Sequence, residues 1–266
     1  MIYVVDLFCG AGGFSEGARQ AGASVILAVD CWKEALDVHA ANHPECEHWH
    51  EELGGDPAEF AARVRAFLST RVPAGAHVHA HASPPCQQLS GANNRRNERQ
   101  GLKMVTWSIK VMKHLSPTTF TIEQVYCKAV LSCVDDVPIR LYKMEHHGVP
   151  QTRVRMLMGA CPELPESKSL TMRTVLNECG IPLEQDDRQC GGRVKRPFPK
   201  VYFTRSVDEP SYTVTSHFPV LFRHGKMSVL PNDVIARMQT FPPNYFSSAT
   251  GRTARRMIAN AVPPAF

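Results

Sequence analysis

Asp6-Leu7-Phe8-Cys9-Gly10-Ala11-Gly12-Gly13-Phe14 closes a short apolar, β-branched run that begins at Ile2. Three glycines free the backbone from Cβ constraints just before a helical pattern takes over at 15–21. The stretch therefore reads as strand, tight loop and helix N-terminus, where backbone N–H groups and the helix dipole favour a carboxylate or phosphate. Asp30 stands at the end of the next apolar run, 25–29, and supplies the acidic partner that ribose hydroxyls require. The glycine order is GxGG and lacks the GxGxxG spacing of dinucleotide sites, so the predicted ligand is S-adenosylmethionine rather than NAD.

Outward from this loop the pattern repeats. Helical periodicity at 33–42, 58–68 and 107–115 alternates with strand-like runs at 77–82 and 118–124, which argues for a parallel sheet with crossover helices. Asp30, Cys86 and Glu123 then lie at or just beyond carboxyl ends of strands, where open α/β sheets bind ligands. Two further strand-like runs, 139–144 and 153–158, precede a change of texture. From 162 to 205 prolines, glycines and charges interrupt every apolar pattern, as in an inserted lobe or long loop system. Regular pattern returns at 229–240 and 252–261, with no internal repeat and no low-complexity tract.

The bulk composition suits one large α/β domain with a small lobe: 266 residues, 43% of them apolar. A net charge of +5 mildly favours an anionic partner. Nine cysteines form no CxxC pair, and their odd number points to thiols in a reducing compartment. The N-terminus has no basic n-region and no apolar stretch reaches 18 residues, so secretion and membrane insertion are not expected.

Ser83-Pro84-Pro85-Cys86-Gln87-Gln88 presents a cysteine from a turn stiffened by two prolines. Most unpaired cysteines are small buried hydrophobes, and the case for a nucleophile needs company. Glu123, in Thr121-Ile122-Glu123-Gln124-Val125, provides it: a carboxylate ending an apolar strand is costly without a partner or a task. Gln151-Thr152-Arg153-Val154-Arg155 puts two arginines on one strand face, which alone reads as a solvated face. His77, His79 and His81 share another face, while His43, Cys46, His48 and His50 cluster in sequence. Without paired Cys/His spacing, polar packing and no metal are expected there.

Asp-Leu-Phe-x-Gly-x-Gly-Gly-Phe (6–14), Pro-Pro-Cys-Gln (84–87), Glu-x-Val (123–125), Gln-x-Arg-x-Arg (151–155) and Asn-Ala-Val-Pro-Pro (260–264) occur in the order found in the C5-cytosine DNA methyltransferases. From residue 2 to the C-terminus the chain resembles that family. The resemblance implies a Rossmann-like methyltransferase fold with a mostly parallel twisted sheet, built from 1–160 and 206–266, and a small target-recognition lobe at 161–205. It implies that the Cys86 thiolate adds to carbon 6 of a flipped cytosine, that Glu123 holds a proton on or near N3, that Arg155 binds O2, and that Arg153 positions the catalytic turn or a phosphate. S-adenosylmethionine, leaving as S-adenosylhomocysteine, would be held by Asp6, Phe8, Cys9, Gly10, Gly12, Gly13, Asp30, Pro84, Asn260 and Ala261. Phe8 would lie against the adenine, and Glu51 or Glu52 would read its amino group. Double-stranded DNA would meet Gln87, next to Cys86, and Ser90, Arg95 and Arg96 in a mobile basic loop at 88–102. It would also meet Arg193, Lys195 and Arg196 in a stretch, 188–205, with six basic residues and no acidic ones. A monomer is expected, inside the cell: in cytoplasm or nucleoid of a prokaryote, or the nucleus of a eukaryote.

The chain also departs from the family pattern. Gln124 stands where Glu-Asn-Val has Asn, and Ala259 stands where Gly precedes Asn260. About fifty residues separate Arg155 from Arg205, which predicts a short or degenerate target. The sequence stops at Phe266, where the family commonly continues into a closing helix. Two rival readings follow: a tRNA cytosine methyltransferase on the same core, and a catalytically impaired DNA-binding paralogue.

Overall fold

The structure, a computed structural model, describes residues 1–90, 97–134, 136–193, 202–217 and 220–266. The chain divides into two compact units, Met1–Tyr142 with Val154–Glu163, and Lys143–Arg153 with Leu164–Phe266.

Strands run in chain order β1 (Ile2–Leu7), β2 (Ser24–Asp30), β3 (Glu47–His50), β4 (His77–Ala82), β5 (Thr119–Gln124), β6 (Ile139–Lys143), β7 (Gln151–Thr152) and β8 (Val154–Gly159). All but β7 form one sheet, ordered β3-β2-β1-β4-β5-β8-β6. The pairs from β3 to β5 are parallel and β8 runs antiparallel to β5, so the expected mostly parallel α/β architecture is present. Chain order reverses at β1, which has β2 on one side and β4 on the other. A ligand crevice belongs at the carboxyl end of such a switch point.

Helices α1 (Gly13–Gln20), α2 (Lys33–Asn42), α3 (Pro57–Arg71), α4 (Glu98–Leu115) and α5 (Lys128–Leu131) accompany this sheet. Its strands alternate between two cores, as the two-residue period demands. Val5 and Leu7 of β1 join Phe60, Val64, Trp107 and Met112, whereas Val4 joins Val25, Ala28, Leu36 and Cys46. Helix α4 starts nine residues earlier than the apolar pattern predicts, because the Asn97 side chain accepts from Gln100 N–H (3.2 Å) and caps its first turn. The edge strand β3, Glu-His-Trp-His, carries no apolar alternation and escapes sequence reading. His77, His79 and His81 hydrogen-bond Thr119, Thr121 and Ser83 at 2.7–3.0 Å, a polar ladder across β4 and β5.

The second unit contains α6 (Met172–Glu178), β9 (Arg188–Arg193), β10 (Tyr202–Ser206), β11 (Ser211–Tyr212), β12 (Val220–Arg223), β13 (Lys226–Ser228), α7 (Asn232–Met238) and α8 (Gly251–Asn260). An antiparallel sheet runs β10-β9-β12-β13, and β11 pairs with β7. Residues 164–205 of the expected lobe fall here together with 206–266, and they hold one short helix and a strand pair where the sequence suggests irregular loop. Elements of five to seven residues leave too few periods to register. The two arginines of 151–155 do not share a strand: Arg153 N–H bonds Gln151 O (2.9 Å), and this turn separates β7 from β8.

Gln151 and Gln239, both fully buried, tie the unit together. Gln151 Nε2 donates to Met238 O (3.1 Å) and to the Gln239 side chain, and its Oε1 accepts from Val214 N–H (3.0 Å). Gln239 Nε2 donates in turn to Ile258 O and Ala261 O, both at 2.9 Å. Among the described residues no helix is long and apolar enough to cross a membrane.

Candidate active site

The turn at 83–88, which carries the candidate nucleophile Cys86, leaves β4 in register with β1. Leu7 pairs with Ala82, and Ser83 N–H extends the contact by one step to Leu7 O (3.1 Å). Pro84 is buried, and its carbonyl accepts from Gln124 Nε2 (3.1 Å) while Gln124 Oε1 accepts from Val125 N–H (2.8 Å). A fully buried side chain from β5 thus clamps the turn two residues before Cys86. Cys86 is half-buried, and its carbonyl accepts from Leu89 N–H (3.0 Å) and Ser90 N–H (2.9 Å). Leu89 is buried against Gly101 of α4, so closely that a Cβ on Gly101 would lie 2.5 Å from Leu89 Cγ. Of the expected loop at 88–102, residues 98–102 belong to α4 and 91–96 lie outside the described residues. Gln87 is exposed and Ser90 half-buried; Arg95 and Arg96 lie outside the described residues.

Glu123, the penultimate residue of β5, lies one residue past Ile122, the partner of Ala82, so it emerges beside the turn that carries Cys86. Glu123 Oε1 lies 2.6 Å from Arg155 Nε, and both side chains are about nine-tenths buried. The pair is Coulombic rather than a directed hydrogen bond, since Oε1 has no aligned donor among the described residues. Arg155 spends one of its remaining donors on Val154 O (2.8 Å). A buried carboxylate oxygen without a donor is an anomaly that substrate hydrogens would remove.

In the glycine loop Phe8, Gly10 and Gly12 all have positive φ (56°, 53° and 93°), and Gly13 opens α1. Asp30 fixes the loop: Oδ2 accepts from Gly10 N–H (2.8 Å) and Oδ1 from Trp32 N–H (2.7 Å). Each oxygen retains a lone pair for a further donor. Asp6 and Cys9, predicted at the cofactor, point inward instead. Asp6 is 1% exposed and accepts from Ser15 Oγ (2.7 Å), while Cys9 packs into the Val4–Val25 core and burial pushes its thiol well up.

A cleft of about 630 Å³ opens beside these elements, walled by Phe8, Cys31, Glu52, Pro85, Gln88 and Lys103 among others. Phe8 comes from the glycine loop and Pro85 from the nucleophile turn. Gly10, Gly12, Gly13, Asp30 and Pro84 support these walls without being among the lining residues. Of the two adjacent glutamates, Glu51 is held by Arg63 (2.8 Å) and Glu52 faces the cleft. Sequence reading passed over Gln100, Lys103 and Met104, which line the cleft from one face of α4, because it started that helix too late.

Arg153, Asn260 and Ala261 belong to the second unit. Arg153 is buried and donates to Ala261 O (3.2 Å), which joins the 151–155 and 260–264 motifs, and Asn260 is exposed at the end of α8. Arg193 closes β9; Lys195 and Arg196 lie outside the described residues.

Residues 2–127 match the C-5 cytosine-specific DNA methylase family. The type II methyltransferase M.HgiDI of Herpetosiphon aurantiacus is 28% identical, covering 97% of this chain and 89% of its own length. M.HgiGI of the same organism is 30% identical over 46% of this chain and 88% of its own length. The Schizosaccharomyces pombe Dnmt2 methyltransferase structure superposes with a TM-score of 0.65 at 15% identity, covering all of this chain and 95% of that one, which supports the fold alone. Loop, nucleophile turn and carboxylate, met here in order along one switch-point sheet, are the features of that matched region: the chain belongs to the C-5 cytosine-specific DNA methylase family and is an enzyme of the DNA cytosine methyltransferase class.

Proposed function

We propose that this protein methylates carbon 5 of a cytosine flipped out of double-stranded DNA, through a covalent bond to Cys86. The observation that carries the reading is the cleft whose walls include both Phe8 of the glycine loop and Pro85 of the nucleophile turn. Its volume suits a nucleoside-sized ligand. Phe8 offers an aromatic face, Glu52 an acceptor for an amino group and Asp30 lone pairs beside the wall, a set that fits S-adenosylmethionine. Bound there, S-adenosylmethionine supplies a methyl group made electrophilic by its sulfonium.

Carbon 5 of cytosine is a weak nucleophile until carbon 6 is attacked. Cys86 sulfur forms the bond to carbon 6, and the ring's electron pair becomes available at carbon 5. Glu123, as the carboxylic acid, donates its proton to ring N3 as addition develops charge there, accepts from the N4 amino group, and takes the proton back from N3 when Cys86 leaves, with Arg155 holding the carboxyl in place. After methylation the carbon 5 proton leaves to a base, its electron pair re-forms the double bond, and Cys86 departs from carbon 6. A base within a stacked duplex is out of reach of Cys86, so extrusion precedes these steps. Arg153 acts by holding the carbonyl of Ala261. Catalysis is assigned to residues 1–160 with 206–266 and target recognition to 161–205, segments that do not coincide with the two compact units, with Gln87, Ser90, Arg95, Arg96, Arg193, Lys195 and Arg196 on the DNA. Likeness to type II methyltransferases favours a restriction–modification role inside the cell.

Transfer of tritium from labelled S-adenosylmethionine to duplex DNA and, separately, to tRNA tests the reading, with Cys86→Ala as control. Cys86-dependent label in DNA is the expected result. Label only in tRNA would move the activity to RNA, and DNA binding without label would make the chain an impaired paralogue.

A further inference from the structure

Beneath the glycine loop, on the face of the sheet that carries α1 and α2, lies a second cluster of reactive side chains. His39 of α2, Cys46 just before β3 and His48 within β3 bring Nδ1 or Nε2, Sγ and a second imidazole nitrogen within 4.8 Å of one another. His39 is fully buried, Cys46 is 7% exposed and His48 is half-buried. His39 Nδ1 faces His48 Nε2 at 2.8 Å. The far nitrogen of His39 meets Ser15 Oγ at 2.9 Å, and Ser15 Oγ donates to Asp6 Oδ2 at 2.7 Å.

This is the arrangement metal-binding histidines use: one nitrogen turned to the ligand cluster, the other held by a hydroxyl that leads to a carboxylate. The charge balance points the same way. Asp6 is buried, its Oδ1 has no hydrogen-bond partner among the described residues, and burial raises its carboxyl to about 7. A cation beyond Ser15 would supply the positive charge that this acid lacks.

We propose that His39 Nδ1, His48 Nε2 and the Cys46 thiolate bind one zinc ion, with a water on the half-buried His48 side as fourth ligand. Two imidazoles and one thiolate are a donor set that Zn²⁺ favours over the oxygen-seeking Mg²⁺ and Ca²⁺. At zinc–nitrogen distances of about 2.0–2.1 Å a tetrahedral site separates its nitrogens by about 3.3 Å, so the two rings must part by about half an ångström. Burial lifts the Cys46 thiol to about 12, and binding releases its proton to solvent. The ion would fasten α2 and β3 to the base of β1, independently of the methyl-transfer reading. No paired spacing reveals this set in sequence, because His39 comes from a helix, Cys46 from the turn before an edge strand and His48 from that strand.

The test is metal analysis of the whole protein purified without metal-affinity steps, before and after loading with Zn²⁺ and gel filtration. We expect about one zinc per chain, and less than about a tenth in Cys46→Ser and in His48→Ala. His50→Ala, outside the trio, is expected to retain the ion. Reconstitution with Co²⁺ gives a readout that does not depend on folding energetics: a thiolate-to-cobalt charge-transfer band in the wild type, absent in Cys46→Ser at matched circular dichroism. Failure of the loaded wild type to hold stoichiometric metal would overturn the proposal, as would a cobalt spectrum without the thiolate band. Either result would leave a metal-free hydrogen-bonded network and would not bear on methyl transfer.

Discussion

Gln124 ties two motifs of the chain together through one buried side chain. From β5 it spans to Pro84 O with Nε2 and to Val125 N–H with Oε1, so the side chain joins the carboxylate strand to the nucleophile turn. Gln124→Leu removes the donor, leaves Pro84 O unsatisfied and is expected to cost about 1–3 kcal/mol of stability. It should also lower kcat more than KM for DNA, and denaturant unfolding with steady-state kinetics would check both effects; wild-type kcat in this variant would deny the clamp. At the neighbouring position Glu123→Gln keeps shape but removes the charge facing Arg155 and the proton-holding capacity. Turnover is expected to fall by roughly 10²–10⁴-fold while DNA binding persists, measured by single-turnover transfer alongside binding isotherms. Glu123 and Cys86 were legible as candidates because strand-ending carboxylates and proline-flanked thiols are unusual. The inward course of Asp6 and Cys9 was not, since alternation along a strand does not say which face will be covered.

At the scale of elements, α4 and the β4–β5 ladder carry the next consequences. Gly101 lets α4 approach Leu89 within a distance no Cβ allows. Gly101→Ala is expected to displace the segment after Cys86 and reduce methyl transfer, although alanine favours helix by about 1 kcal/mol. A stopped-flow burst of unchanged rate in this variant would show that the contact is dispensable. In the ladder, burial holds His81 well below the usual imidazole range and His79 down to about 4, from 6.5. Their native pKa values are depressed, so the unfolded chain takes up protons that the native rings refuse, and stability falls as pH drops below 6.5. Each ring contributes at most about 1.4 kcal/mol per pH unit until the native ring itself protonates, near pH 4 for His79. Urea unfolding between pH 7.5 and 4.5 is expected to show this decline, and His79→Gln should flatten it. The strands β1, β2, β4 and β5 and their helices were readable because each carries several apolar periods. Edge strand β3, the early start of α4 and the short strands β9 and β10 were not, because caps and sheet edges depend on single polar contacts and tertiary pairing.

For the whole molecule, the order of motifs along the chain proved more telling than any one of them. The sheet β3-β2-β1-β4-β5-β8-β6 turns that order into proximity by placing the glycine loop and the nucleophile turn at adjacent strand ends. The cluster of His39, Cys46 and His48 is the opposite case: the sequence groups Cys46 with His48, and His39 joins them only once α2 and β3 are laid beside each other. The proposed methyl transfer turns on a bond between Cys86 and the target base. The most direct measurement is trapping on duplex DNA carrying 5-fluorocytosine, whose fluorine cannot leave as a proton does, so that the adduct cannot break down after methyl transfer. Denaturing gels and intact mass should show one protein joined to one duplex strand bearing one added methyl group, dependent on S-adenosylmethionine and absent in Cys86→Ala. Methylation of ordinary duplex by an enzyme that forms no such adduct, or an adduct that survives Cys86→Ala, would contradict the account.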